Sequence, residues 1–202
     1  MMDGALRDLC RAVAEEFLRN HGWTLAFEWV GGRQRVAGDF LDGVVRSVAP
    51  RWQEGAPLDQ QKELIRKGVL NRYSRLLYRA CLRPGSTRAE IAYAELWNHL
   101  YDVAYYELRG DEAAAQDQAQ KALVSLFARF DQAPAGFMRD EGAFLGYARI
   151  TLLREVWRHL KERRRMVELE GDDHAGREEE EMDQVPDPGQ RADGPLVRHA
   201  TR

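Results

Sequence analysis

The stretch AAAQDQAQKALVSLFARF, residues 113–130, decides how the chain is read. Ala119, Ala122, Leu123, Leu126, Phe127 and Phe130 recur at three and four residues, the spacing that lines one side of an α-helix with apolar side chains. Asp117, Gln120, Lys121 and Val124 fall at i, i+3, i+4 and i+7 on a second side, a mixed polar surface that includes a valine. The first side is predicted to be core and the second a surface on which a partner docks. A plain solvated face is the simpler alternative, since every amphipathic helix has one.

Working outward, the flanking segments also read as helix. Asp111 is placed to cap this helix, and Arg109-Gly110 to end the one before it. That preceding helix starts at Ser86 or Thr87, with Thr87 and Glu90 at capping-box spacing, and carries Tyr93, Trp97, Leu100, Tyr101 and Ala104 up to Leu108. Leu58 to Leu82 forms another, with Leu64, Leu70, Tyr73, Leu77 and Cys81 roughly in phase and Arg83-Pro84-Gly85 as its stop. Pro50 to Pro57 reads as a linker. Leu6, Leu9, Cys10, Val13 and Phe17 mark a first helix, capped by Asp3. Between them, Leu25, Phe27 and Trp29 alternate ahead of Gly31-Gly32, which fits either a small β-hairpin near residues 23–38 or a helix broken at the glycines.

Downstream, DQAPAGFMRDEGA (131–143) is a loop, and a last helix begins near Glu141 and ends in KERRR. The predicted fold class is therefore all-α, a helical bundle. Three parts are expected: residues 1–85 as a mostly helical extension that forms its own interaction module or shares the core, residues 86–165 as a helical domain, and residues 166–202 as an acidic disordered tail.

With 202 residues, 44% apolar and 31% charged, the chain suits one sizeable core with appendages. No apolar run approaches the ~20 residues of a membrane span, and MMDGALRDLC lacks the pattern of a secretory leader, so a cytoplasmic location is expected. Cys10 and Cys81 have no metal-type spacing and are expected to be reduced, buried thiols. No phosphate loop, nucleophile elbow or HExxH is present, and the acidic pairs Glu15-Glu16 and Asp172-Asp173 are sequence neighbours on surface-like segments. His99 and Asp102 share a helix face, but a histidine beside aromatics is more often structural. No enzyme, cofactor or metal is expected.

The net charge of −3 conceals a polarity along the chain. Phe144 to Arg165 holds seven Lys/Arg against two Glu, while Glu168 to Asp193 holds eleven Asp/Glu against two Arg. On the last helix Leu145, Ala148, Leu152, Val156 and His159 gather on one side. Arg154, Arg158, Lys161 and Arg165 gather on the other with Tyr147 and Trp157. Cations that neutralise phosphates, with rings between them on which bases stack, suit a nucleic-acid strand. Complementing the helix dipole accounts for Arg163 to Arg165 but not for Arg154, Tyr147 or Trp157, which lie too far from the end.

In order, AYAELWNHLYDVAYYELRGDEAAAQDQAQKALVSLFARF (92–130), DEGAF (140–144) and FLGYARITLLREVWRHLKERRR (144–165) resemble region 2 of a bacterial RNA polymerase sigma factor of the extracytoplasmic-function type. Gly110, Asp111, Glu112, Ala115, Asp117, Gln120, Phe144, Tyr147, His159 and Leu160 stand at matching positions, within roughly 75 of the 202 residues. The resemblance implies a sigma-like initiation factor with a three-helix region-2 unit. Asp117, Gln120, Lys121 and Val124 would dock on the β′ clamp helices of core RNA polymerase, and the loop 131–143 would accept a flipped base of the −10 promoter element. Tyr147, Arg154, Trp157, Arg158, Lys161 and Arg165 would bind the melted promoter strand.

The family often has Trp where Tyr147 stands and an acid where Arg158 stands. It also continues into region 4, whereas only RADGPLVRHATR follows the acidic stretch here. A fragment, a truncated gene product and a region-2 protein aided by a partner all fit, with a region-4 partner or an anti-sigma factor as further expected partners. The alternative function is a helical protein interaction module or adaptor without DNA binding.

Overall fold

Six α-helices and one β-hairpin make up the described residues, 2–132 and 138–171, of the computed structural model. In chain order they are α1 (Met2–Asn20), β1 (Phe27–Val30), β2 (Arg33–Val36), α2 (Gly38–Val48), α3 (Leu58–Cys81), α4 (Thr87–Glu107), α5 (Glu112–Gln132) and α6 (Phe144–Gly171). Short 3-10 turns at Ala49–Arg51 and Glu141–Ala143 follow α2 and precede α6. The fold is all-α, as the periodicity predicts, and no helix among the described residues is long and apolar enough to cross a membrane.

The hairpin is the small β element that the alternation allows. Phe27 pairs with Val36 and Val30 with Arg33, closing on Gly31 and Gly32, both at positive φ (56° and 76°). A two-residue turn of that hand matches the strand twist and strains any side chain larger than glycine's. The joint between α4 and α5 also follows the sequence. Arg109 takes a left-handed conformation (φ 55°), and the N–H groups of Arg109 and Gly110 donate to the Tyr106 and Tyr105 carbonyls, completing the end of α4. Asp111 then accepts from Ala114 N at 3.1 Å and caps α5, and Ser86, not Thr87, caps α4 by accepting from Ala89 N.

Three assignments change, the first being that Asp3, expected to cap the first helix, lies within α1. The segment Gly38–Val48, for which the sequence reading names no element, is α2, burying Phe40, Leu41, Val44 and Val48. On α3 the buried row is Ile65, Val69, Tyr73 and Leu77, whereas Leu64 is half-buried and Leu70 exposed. Counting back in fours from Tyr73 lands on Val69 and Ile65, so the branched residues take the inner positions.

Among the described residues, those up to Trp157 form one compact unit and those from Arg158 onward a second, the boundary falling within α6. In the first unit, residue 85 does not separate two cores. The Glu95 side chain of α4 is buried, and its Oε1 accepts from Thr24 N, from Thr24 Oγ1 at 2.7 Å and from Leu25 N at 3.1 Å, while the Tyr73 hydroxyl of α3 donates to Oε2. Burial and the neighbouring carboxylate push the Tyr73 phenol upward, which keeps it a donor. Trp23 stacks flat on Tyr73 with ring centroids 4.2 Å apart. Farther along, Tyr78 of α3 meets Phe130 of α5 and Phe144 of α6 at 5.7 and 5.3 Å, and Leu145 N donates to the buried Ser74 Oγ at 2.9 Å. The first 85 residues thus supply a central helix of the core that α4, α5 and α6 share.

In the second unit α6 continues to Gly171, past Met166 where the tail was expected to begin. Residues 172–202, on which the rest of that expectation falls, lie outside the described residues.

Replacing Glu95 by alanine strands two buried donors, Leu25 N and the Tyr73 hydroxyl, each costing about 1–3 kcal/mol, besides the two on the exposed Thr24. We expect Glu95→Ala to lose about 3 kcal/mol or more, a fall of about 6–12 °C in the thermal midpoint of a chain this size, measured by circular dichroism. Glu95→Gln, which keeps the shape and one acceptor oxygen, should lose less.

Candidate functional site

α5 separates its two sides cleanly. Ala115, Gln118, Ala119, Ala122, Leu126 and Phe130 are buried and Leu123 and Phe127 half-buried, while Asp117, Gln120, Lys121 and Val124 are all exposed, Val124 by 63%. The four sequence-predicted docking residues therefore form one accessible strip. Asp117 is held within it: its Oδ2 accepts from Lys121 Nζ at 2.7 Å and from Gln118 Nε2 at 2.9 Å. An exposed pair of this spacing stabilises the helix by only about 0.3–0.5 kcal/mol, so its main effect is to fix the carboxylate and neutralise the strip around Val124.

α6 buries Phe144, Leu145, Ala148, Thr151, Leu152 and Val156. In the first unit its opposite side carries Tyr147, half-buried, Arg154, exposed, and Trp157, 42% exposed. Arg154 and Trp157 thus keep access to solvent. Two further residues join this surface. Ile150, 40% exposed, sits between Tyr147 and Arg154 on the same side, and Arg129 reaches over from α5. The Arg129 guanidinium donates to the Tyr147 hydroxyl and lies 5.7 Å from the centre of its ring, a cation–π contact that fixes the ring's orientation. Nothing in the local sequence marks Arg129, because it acts across two helices; its position in the last turn of α5 was the only signal. In the second unit Arg158, Lys161 and Arg165 are exposed and His159 is half-buried.

The loop expected to accept a base is described in part, since residues 133–137 lie outside the described residues and Asp131 and Gln132 end α5. Its exit is anchored to α3. Asp140 accepts from Arg75 at 3.2 Å and from Gly142 N at 2.9 Å, and Glu141 accepts from Arg79 Nε at 2.7 Å. A Cβ at Gly142 would overlap the Asn71 side chain of α3, so the Gly-Ala-Phe entry to α6 is set by how closely α3 passes.

His99 and Asp102 do not form a paired acid and base. His99 faces the edge of Trp23 at 6.0 Å while Asp102 is exposed. Burial, with His21 and Arg149 nearby, pushes the His99 imidazole down to about 4. Cys10 and Cys81 are free and buried, and burial pushes their thiols up to about 11 and about 12. Among the described residues no group of three His, Cys, Asp or Glu side chains could hold a metal ion. Compared with known proteins, the chain matches no family model, no curated protein and no solved structure.

The depressed imidazole has a measurable consequence. Unfolded, a histidine takes up a proton near pH 6.5; folded, His99 resists until about 4, so the unfolded chain binds more protons between these values. Its contribution to stability is complete above about pH 6.5 and shrinks as pH falls toward 4. We expect the urea midpoint to drop between pH 7 and pH 5, and the drop to be shallower in His99→Asn.

Proposed function

We propose that this chain is a sigma-like transcription initiation factor that binds core RNA polymerase through α5 and promoter DNA through α6. The observation that carries the reading is that Asp117, Gln120, Lys121 and Val124 are all exposed on a helix whose other side is packed, at the positions that the sigma resemblance assigns to polymerase docking. An apolar residue 63% exposed within a charge-neutral strip suits a protein partner, because its burial gains free energy without stranding a charge.

Tyr147, Arg154 and Trp157 supply rings and a cation from the first unit, and Arg158, Lys161 and Arg165 supply cations from the second. In this role the rings hold unstacked bases of a −10-like element and the cations fix the strand by its phosphates. The Arg129 contact presents the Tyr147 ring in one orientation, which lowers the entropy lost when a base stacks on it. α3 acts as a scaffold, holding the exit of the base-accepting loop through Arg75 and Arg79. The chain performs no chemistry in this role, and its action is cytoplasmic.

Co-purification with core polymerase tests the first half: Asp117→Ala/Gln120→Ala should weaken capture roughly tenfold or more, about the effect of losing one interface hot spot. A salt titration on single-stranded promoter DNA tests the second. Arg154→Ala/Arg158→Ala should weaken binding and reduce the slope of log affinity against log salt by roughly 1.4. Polymerase capture that survives with no DNA binding at any salt would instead identify a protein interaction module.

A further inference from the structure

We infer that the tip of the β1–β2 hairpin is a nucleic-acid contact, outside the segment that carries the sigma resemblance and not dependent on α6. The inner end of the ribbon is fixed. Val36 is buried, the Arg19 guanidinium lies 5.5 Å from the centre of the Phe27 ring, Arg19 Nη2 donates to the Gln34 carbonyl at 3.3 Å, and Ala37 N donates to the Ala26 carbonyl at 2.9 Å. The outer end is open: Trp29 is 73% exposed, Val30 48%, and Arg33, Gln34 and Arg35 are exposed as well.

The register divides these side chains between two faces. Trp29 stands across from Gln34 on one face, and Val30 across from Arg33 on the other, which also holds Arg35. No acid occurs from Trp29 to Arg35, and neither arginine is in an ion pair among the described residues. Glu28, opposite Arg35, is at the base, where it accepts from Gly38 N at 3.2 Å.

The turn itself is made by Gly31 and Gly32, so the Trp29 indole is left free to meet a ligand. Two unpaired guanidinium groups select a polyanion, and a bare indole selects a flat ring. Nucleic acid offers both, phosphates for Arg33 and Arg35 and a base for Trp29. A two-stranded ribbon open on both faces is also thin enough to enter a groove of duplex DNA.

The test uses the full chain and two probes, a fluorescein-labelled mixed-sequence DNA strand and the corresponding duplex, with anisotropy read across a salt series. Trp29→Ala should bind roughly five- to hundredfold more weakly, and Trp29→Phe should recover much of the loss. Arg33→Ala/Arg35→Ala should reduce the salt slope by roughly 1.4 on the strand or 1.8 on the duplex, and the probe that suffers more identifies the form contacted. These residues are exposed, so an unchanged thermal midpoint should accompany each variant. Hairpin variants that bind both probes like wild type, while Arg154→Ala/Arg158→Ala binds more weakly, would overturn this inference and leave the reading of α6 standing; the opposite pattern would support the hairpin and overturn DNA binding by α6. A wild-type chain that binds neither probe would overturn both.

Discussion

One buried carboxylate organises this protein. Glu95 lies in the core of the first unit, where a polar group is tolerated only if its oxygens are engaged, and the chain engages them with the Thr24 and Leu25 backbone, the Thr24 hydroxyl and the Tyr73 phenol. Those donors come from two other segments, the connection between α1 and β1 and the middle of α3. Sliding either one along α4 by a single turn would leave donors and acceptor apart in the core, a loss larger than most apolar repacking can offset. The carboxylate therefore selects one register for three pieces of chain, and the flat Trp23–Tyr73 stack beside it fills the same site with apolar area.

With that register set, α3 becomes the element on which the rest is aligned. Its Tyr78 meets the rings of Phe130 and Phe144, its Ser74 holds the start of α6, and its Arg75 and Arg79 grip the segment just before α6. The two ion pairs are exposed and contribute little free energy each, so the aromatic cluster and the buried Ser74 bond carry the attachment and the arginines set the direction in which the chain enters α6. What is left facing outward on α5 and α6 follows from which sides this packing consumes. Val124 stays in water because α5 turns its other side, with Ala119 and Ala122, into the core.

The charge distribution fits a partner that feels only its near surroundings. At physiological salt a charge is screened within about 8 Å, so a total of −3 says little about what meets Arg154 or Arg33. The cations of α6 and of the hairpin tip are each accompanied by an exposed ring, Trp157 in one place and Trp29 in the other. In the proposed role the rings would take bases and the cations phosphates.

Much of this architecture is written locally. The Leu108–Asp111 joint and the inner side of α5 are short-range matters of capping and helical period, and the sequence determined them, whereas at Gly31-Gly32 it left a hairpin and a broken helix both open. The exposed strip on α5 is local too, since a polar face at the right period is polar wherever the helix packs. Other features depend on residues far apart in the chain. Glu95 reads as one more acid on a helix until Thr24 and Tyr73 are brought to it, Arg129 is unremarkable until Tyr147 lies beneath it, and the apparent boundary at residue 85 dissolves because α3 must bury both sides of its middle. Periodicity records which side of a segment avoids water but carries no information about which other segment will cover it. That choice is made by shape and by the pairing of buried polar groups, and only the tertiary structure decides it.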